Sequence, residues 1–109
     1  MAATLDYGFE SIKLDGCGIV ENVTEFATLF NATGVRVLIE NYHNGHPTYP
    51  TRDAATGAVN CPMNLFRAST DIRPTFGSVL INLRSTTAYN GDDGKGLTGP
   101  GCWAYPDVR

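Results

Sequence analysis

SIKLDGCGIVENVTEFATLFNATGVRVLIE, residues 11–40, reads as a strand, a turn, a helix and a second strand in succession. Ser11 to Leu14 is a short apolar-leaning run with Asp15 at its carboxyl end, and Gly16 to Gly18 predict a turn. From Glu21 to Asn31 the apolar residues Val23, Phe26, Ala27 and Phe30 recur at i, i+3, i+4 and i+7, the stripe of an amphipathic helix. Gly34 marks its end. Val35 to Ile39 is short and rich in β-branched residues, with Glu40 after it. A helix between two such strands implies that the strands run parallel.

The pattern repeats downstream. Residues 41–61 are polar and loop-rich, and a connection that long in a compact domain is often functional. Leu65 to Ala68 predicts a third strand, ending in Ser69-Thr70-Asp71. Pro74 suits the first turn of a helix, and Phe76, Val79, Leu80 and Leu83 supply its stripe. After the glycine-rich segment from Asn90 to Gly101, Trp103-Ala104-Tyr105 begins a fourth strand or a rim segment. The expected class is therefore α/β, with order β-α-β-loop-β-α-(β). Asp15, Glu40 and Asp71 all fall at carboxyl ends of strands, the end at which parallel α/β sheets bind ligands.

A chain of 109 residues is at most one domain with a modest core. Its charged fraction of 17% and net charge of -3 leave no basic patch, which argues against a nucleic-acid partner. The apolar runs are too short to cross a membrane, and no signal-peptide pattern follows Met1. Three cysteines, Cys17, Cys61 and Cys102, allow one bridge and one remaining thiol in an oxidising compartment. The sequons Asn22-Val23-Thr24 and Asn31-Ala32-Thr33 lean towards secretion.

Two aspartates stand beside cations. Lys13 is two residues before Asp15, so both side chains leave one face of a strand, and an ammonium there keeps a carboxylate ionised. Arg67 is four residues before Asp71 and either binds a sugar hydroxyl, orients a carboxylate or forms a structural ion pair. Two facing carboxylates can hydrolyse a glycosidic bond. Spacing alone favours a plainer role for each aspartate, the N-cap of the following helix. His43 and His46 match no common zinc spacing, so no metal is expected. Asn90 to Thr98 fits neither a phosphate loop nor a calcium loop. Trp103 and Tyr105 offer aromatic faces on which a sugar can stack, or they are buried near a rim.

Taken in order, Lys13-Leu14-Asp15-Gly16-Cys17, Phe30-Asn31-Ala32-Thr33-Gly34, Phe66-Arg67 with Asp71-Ile72, Gly99-Pro100-Gly101-Cys102-Trp103 and Pro106-Asp107 resemble the α-galactosidase (melibiase-like) family of retaining glycoside hydrolases. The resemblance spans Tyr7 to Asp107. It implies a partial (β/α)8 TIM barrel, roughly strands four to seven with their helices, so that residues 1–109 form a fragment of the catalytic barrel domain. It implies Asp15 as nucleophile and Asp71 as acid/base. Lys13, Arg67 and Asp107 match positions that contact the sugar, and Glu40 lies near a substrate-reading carboxylate, though offset from it. The implied substrate is a carbohydrate with a terminal α-galactosyl residue, with no cofactor, in a secreted, vacuolar or lysosomal parent protein.

This chain departs from the family in several places. Half a barrel leaves sheet edges exposed, so the chain alone is expected to be inactive and weakly stable. Members usually bridge the cysteine after the nucleophile to one at the end of the next strand, but Glu40-Asn41-Tyr42-His43 has none, which leaves Cys17 free or paired with Cys61. Tyr105 stands where many members have Asp, as in a divergent branch such as a β-L-arabinopyranosidase-type relative. A catalytically silent sugar-binding relative or fragment is the competing expectation.

Overall fold

The computed structural model describes residues 2–15, 22–42, 50–91 and 96–107. The turn at Gly16 to Gly18, Cys17, His43, His46 and the centre of the glycine-rich segment lie outside the described residues. A parallel four-stranded sheet organises the rest: β1 (Ser11–Leu14), β2 (Leu38–Asn41), β5 (Leu65–Arg67) and β6 (Trp103–Tyr105) lie in that order. Helix α1 (Ala2–Asp6) precedes β1, and α2 (Val23–Asn31) joins β1 to β2. A small antiparallel hairpin of β3 (Thr51–Arg52) and β4 (Val59–Asn60) precedes β5, and α3 (Phe76–Ser85) and α4 (Thr87–Asn90) follow it.

The register explains where β2 begins. Ser11 pairs with Leu38, and the Leu38 N–H donates to the Glu10 carbonyl at 2.9 Å. Val35 to Val37 have no β1 residue opposite them. The strand expected over Val35–Ile39 is therefore Leu38–Asn41, and Glu40 lies within it rather than after it. At the amino end of the sheet, Asn64 joins three strands. Its side-chain oxygen accepts from Ile39 N–H at 2.9 Å, its own N–H donates to the Ile39 carbonyl at 2.8 Å, and its carbonyl accepts from Trp103 N–H at 2.9 Å.

Alternation along each strand sorts the side chains between two faces. Register places Ile12, Leu14, Ile39, Phe66 and Ala104 on one face. These residues pack with Val23 and Phe30 of α2 and with Met63 and Cys102 to form the core, and Phe26 and Ala27 lie against it. The α2 stripe thus faces the sheet as its spacing predicts. Tyr89 of α4 meets Phe66 edge-on, with ring centroids 4.9 Å apart. Cys61 and Cys102 form a disulfide, so Cys61 is the partner of Cys102 and not of Cys17.

Helix α3 departs from its expected stripe. Phe76, Val79 and Leu83 are exposed, and the buried residue is Asn82. The reason is a polar anchor: Asn82 Oδ1 accepts from Asp107 N–H at 2.8 Å, and Asn82 Nδ2 donates to the Ser78 carbonyl at 3.1 Å. That pairing turns the side of the helix carrying Ser78 and Asn82 inward. Pro74 lies before the helix rather than in its first turn, because Thr75 is the N-cap and accepts from Ser78 N–H at 3.3 Å.

Part of the connection between β2 and β5 is ordered by local polar contacts. Asp53 accepts from Thr56 N–H, Thr56 Oγ1 and Ala55 N–H, and the Thr56 backbone bond is the chief reason its carboxyl pKa is lowered. Gly57 closes the turn at a φ of 71°, where a side chain would be strained.

Candidate active site

The face opposite the core carries Ser11, Lys13, Leu38, Glu40, Leu65, Arg67, Trp103 and Tyr105, again by register. Ser11 and Leu38 form one row across it, Lys13, Glu40, Leu65 and Trp103 the next, and Arg67 and Tyr105 the row nearest the carboxyl ends. Asp15 continues the β1 alternation onto this face. Sequence spacing puts Lys13 and Asp15 on one face; that Glu40 and Arg67 share it follows from the strand register.

Neither aspartate caps the helix downstream of it. Asn22 caps α2, its side-chain oxygen accepting from Glu25 N–H at 3.1 Å, and Thr75 caps α3. The capping role favoured by spacing therefore belongs to other residues. Asp15 Oδ2 lies 3.9 Å from Lys13 Nζ, both groups about half exposed. Such a pair contributes little to stability and leaves the carboxylate accessible.

Arg67 is the hub of the second cluster. Its Nη1 donates to Asp71 Oδ1 at 2.7 Å and to Asp107 Oδ1 at 3.4 Å. The Arg67 side chain is 7% exposed, that of Asp107 1%, and that of Asp71 54%. Burial acts to lower the Arg67 pKa, but the hydrogen bonds to Asp71 and then Asp107 outweigh it, holding the guanidinium above its ordinary value. Asp107 Oδ2 accepts from Ile72 N–H at 2.8 Å. Asp107, expected to touch sugar, instead sits beneath the surface, where it braces Arg67 and the segment bearing Asp71. An oxygen so enclosed does not reach a ligand without movement.

Tyr42 joins the two clusters and was not singled out from the sequence. Its ring centroid lies 3.5 Å from Lys13 Nζ and 3.6 Å from Arg67 Cζ, and its hydroxyl donates to Asp71 Oδ1 at 3.5 Å. An aromatic residue just beyond a strand end is common, so only the two flanking cations, from β1 and β5, reveal its place. Tyr105 donates its hydroxyl to Glu40 Oε1. Burial, followed by the hydrogen bond to Glu40 and its charge, raises the Tyr105 pKa well above the usual tyrosine value. Trp103, in the row of Glu40 and Leu65, is exposed on the same face.

An open hollow of about 890 Å³ lies beside Arg67 and Asp71 and is also lined by Arg73, Thr75 and Ser78. Asp15, Lys13 and Tyr42 do not line it. Among the described residues no three His, Cys, Asp or Glu side chains gather to hold a metal ion, and no helix is long and apolar enough to cross a membrane. The arrangement can present one carboxylate beside an ammonium and another beside a guanidinium, with an aromatic ring between the two cations.

The chain matches no protein-family model, no curated protein and no solved structure.

Proposed function

We propose that this chain carries the catalytic rim of a retaining glycosidase acting on terminal α-D-galactosyl residues. One observation carries the reading: Asp15 and Asp71 belong to a single polar cluster, linked through Lys13, Tyr42 and Arg67, at the carboxyl end of a parallel sheet. In the proposed double displacement, an Asp15 oxygen attacks the anomeric carbon as Asp71 protonates the departing glycosidic oxygen. Water then attacks the anomeric carbon, gives its proton to Asp71, and breaks the ester to Asp15. Lys13 stands beside the nucleophile, its Nζ 3.9 Å from Asp15 Oδ2. Lys13 and Arg67 are offered as sugar contacts. Glu40 joins them through a carboxylate already oriented by Tyr105.

The strand order supports a segment of a (β/α)8 barrel. Doubly wound sheets reverse their strand order and carry helices on both faces. Here the order is sequential, and the face away from the core carries Arg67 and Tyr105 at the carboxyl ends of their strands, the end at which a barrel wall bears its catalytic groups. Four strands do not close a barrel, so the 109-residue chain alone is expected to lack turnover. The unpaired edges at β1 and β6 among the described residues favour, for the chain alone, the second reading, a silent sugar-binding fragment. The Cys61–Cys102 disulfide and the exposed positions of Asn22 and Asn31 support an oxidising, secretory setting.

The test is hydrolysis of 4-nitrophenyl α-D-galactopyranoside by the protein with its barrel complete, with the first-formed anomer followed by NMR. Release of α-galactose, loss of turnover in Asp15→Ala, and slow turnover in Asp71→Ala that an activated leaving group partly restores are expected. Inversion, or undiminished turnover in Asp15→Ala, would overturn the reading.

A further inference from the structure

We infer that Tyr42 is the positioning residue for Asp71, setting the orientation and proton affinity of its carboxyl group while seating Lys13 and Arg67 on opposite sides of one ring. The inference deepens the glycosidase reading and rests on it for the role of Asp71 in catalysis. Its physical basis is independent of that role.

The backbone of Tyr42 is fixed by the sheet, because its N–H donates to the Leu14 carbonyl at 3.0 Å, one step beyond the last β1–β2 pair. Alternation then directs its side chain to the face of Lys13 and Arg67. Two cations held 3.5 and 3.6 Å from one ring centroid are each attracted by the π-electron density of the ring. Without the ring, two like charges would share the same space across the sheet. The hydroxyl extends past Arg67 to Asp71 Oδ1, the oxygen that also accepts from Arg67 Nη1. Two donors on Oδ1 hold the carboxyl group in place, and a general acid so held is already oriented for delivery.

Several other charges face this carboxyl group. Arg67 reaches it from β5, Asp107 lies behind Arg67 from the segment after β6, Lys13 lies across the Tyr42 ring from β1, and Arg73 lines the adjoining hollow. Removing only the hydroxyl leaves all of them in place. The carboxylate then loses one donor to its ionised form, and its pKa rises. The contact is long and Asp71 is half exposed, so the expected rise is about half a unit.

The experiment compares Tyr42→Phe with Tyr42→Leu, following the Asp71 carboxyl by ¹³C NMR titration of the folded protein and, separately, the pH profile of kcat/KM of the protein with its barrel complete. Tyr42→Phe is expected to raise the Asp71 titration by about half a unit and to carry the alkaline limb of the profile upward with it, leaving KM near the parent value. Tyr42→Leu is expected to raise KM about tenfold as well, since both cations lose their common seat. Tyr42→Trp keeps a ring without the hydroxyl and carries the same titration test if Tyr42→Phe does not fold. An unchanged Asp71 titration in a folded hydroxyl-free variant overturns the inference. A raised titration in a protein that, with its barrel complete, turns over no glycoside upholds Tyr42 as the positioning residue and defeats the glycosidase reading instead.

Discussion

Replacing Asp107 tests whether this buried carboxylate is the brace of the site. Asp107→Ala removes the acceptor for Ile72 N–H at 2.8 Å and one of the two carboxylates around Arg67 Nη1. A buried ion pair that loses one partner costs about 3–5 kcal/mol, and an N–H left without an acceptor about 1–3 kcal/mol. Arg67 keeps Asp71 at 2.7 Å, and Ile72 is only partly buried, so the two terms together come to about 3 kcal/mol. In urea, with a slope of about 1.5 kcal/mol per M, this moves the unfolding midpoint down by about 2 M. Asp107→Asn keeps an acceptor and the side-chain volume, and is expected to cost about half as much. It also keeps the comparison readable if the alanine variant does not fold. Asp71→Ala removes a carboxylate that is 54% exposed and is expected to cost about 1 kcal/mol or less. A midpoint shift under about 0.5 M for Asp107→Ala, or a larger loss in Asp71→Ala, refutes the division between a buried brace and an accessible acid.

Two further outcomes follow from the structure. Reducing the Cys61–Cys102 disulfide, or replacing both cysteines with alanine, releases a loop with a sequence separation of 41 and is expected to lower stability by about 4 kcal/mol on the chain-entropy relation, read by denaturation with and without dithiothreitol. Tyr105 keeps its proton in the folded state at pH values where an unfolded tyrosine, with a pKa of about 10, has lost it. Its contribution to stability is therefore complete below about pH 10 and is lost as pH rises through the folded-state value. Tyr105→Phe is expected to flatten this alkaline decline in thermal melts, and an identical decline in the variant would remove Tyr105 as its cause.

Much of the scaffold was legible because it depends on local periodicity. The Val23, Phe26, Ala27, Phe30 stripe predicted α2 and its buried face, and four short apolar runs marked the strands of the sheet. The α3 stripe misled, since apolar spacing cannot register the hydrogen bond between Asn82 and Asp107, 25 residues apart. The start of β2 was misplaced for a similar reason: Val35 to Val37 have suitable residue types, but pairing begins only where β1 offers a partner. The hairpin of β3 and β4 was missed because its two-residue strands are too short for a period, and the contacts of Asp53 that close its turn are local but lack a pattern.

The candidate site divides in the same way. The steps from Lys13 to Asp15 and from Arg67 to Asp71 were readable as neighbours, and both appear as ion pairs. Tyr42 and the buried role of Asp107 were not readable, because each depends on residues from other strands. Alternation and helical period follow from backbone geometry and are written into a chain residue by residue. Which strands become neighbours, which face is covered, and which carboxylate lies above or below an arginine are outcomes of long-range packing. In this protein that packing turned two separated aspartates into parts of one polar cluster and placed Tyr42 between them.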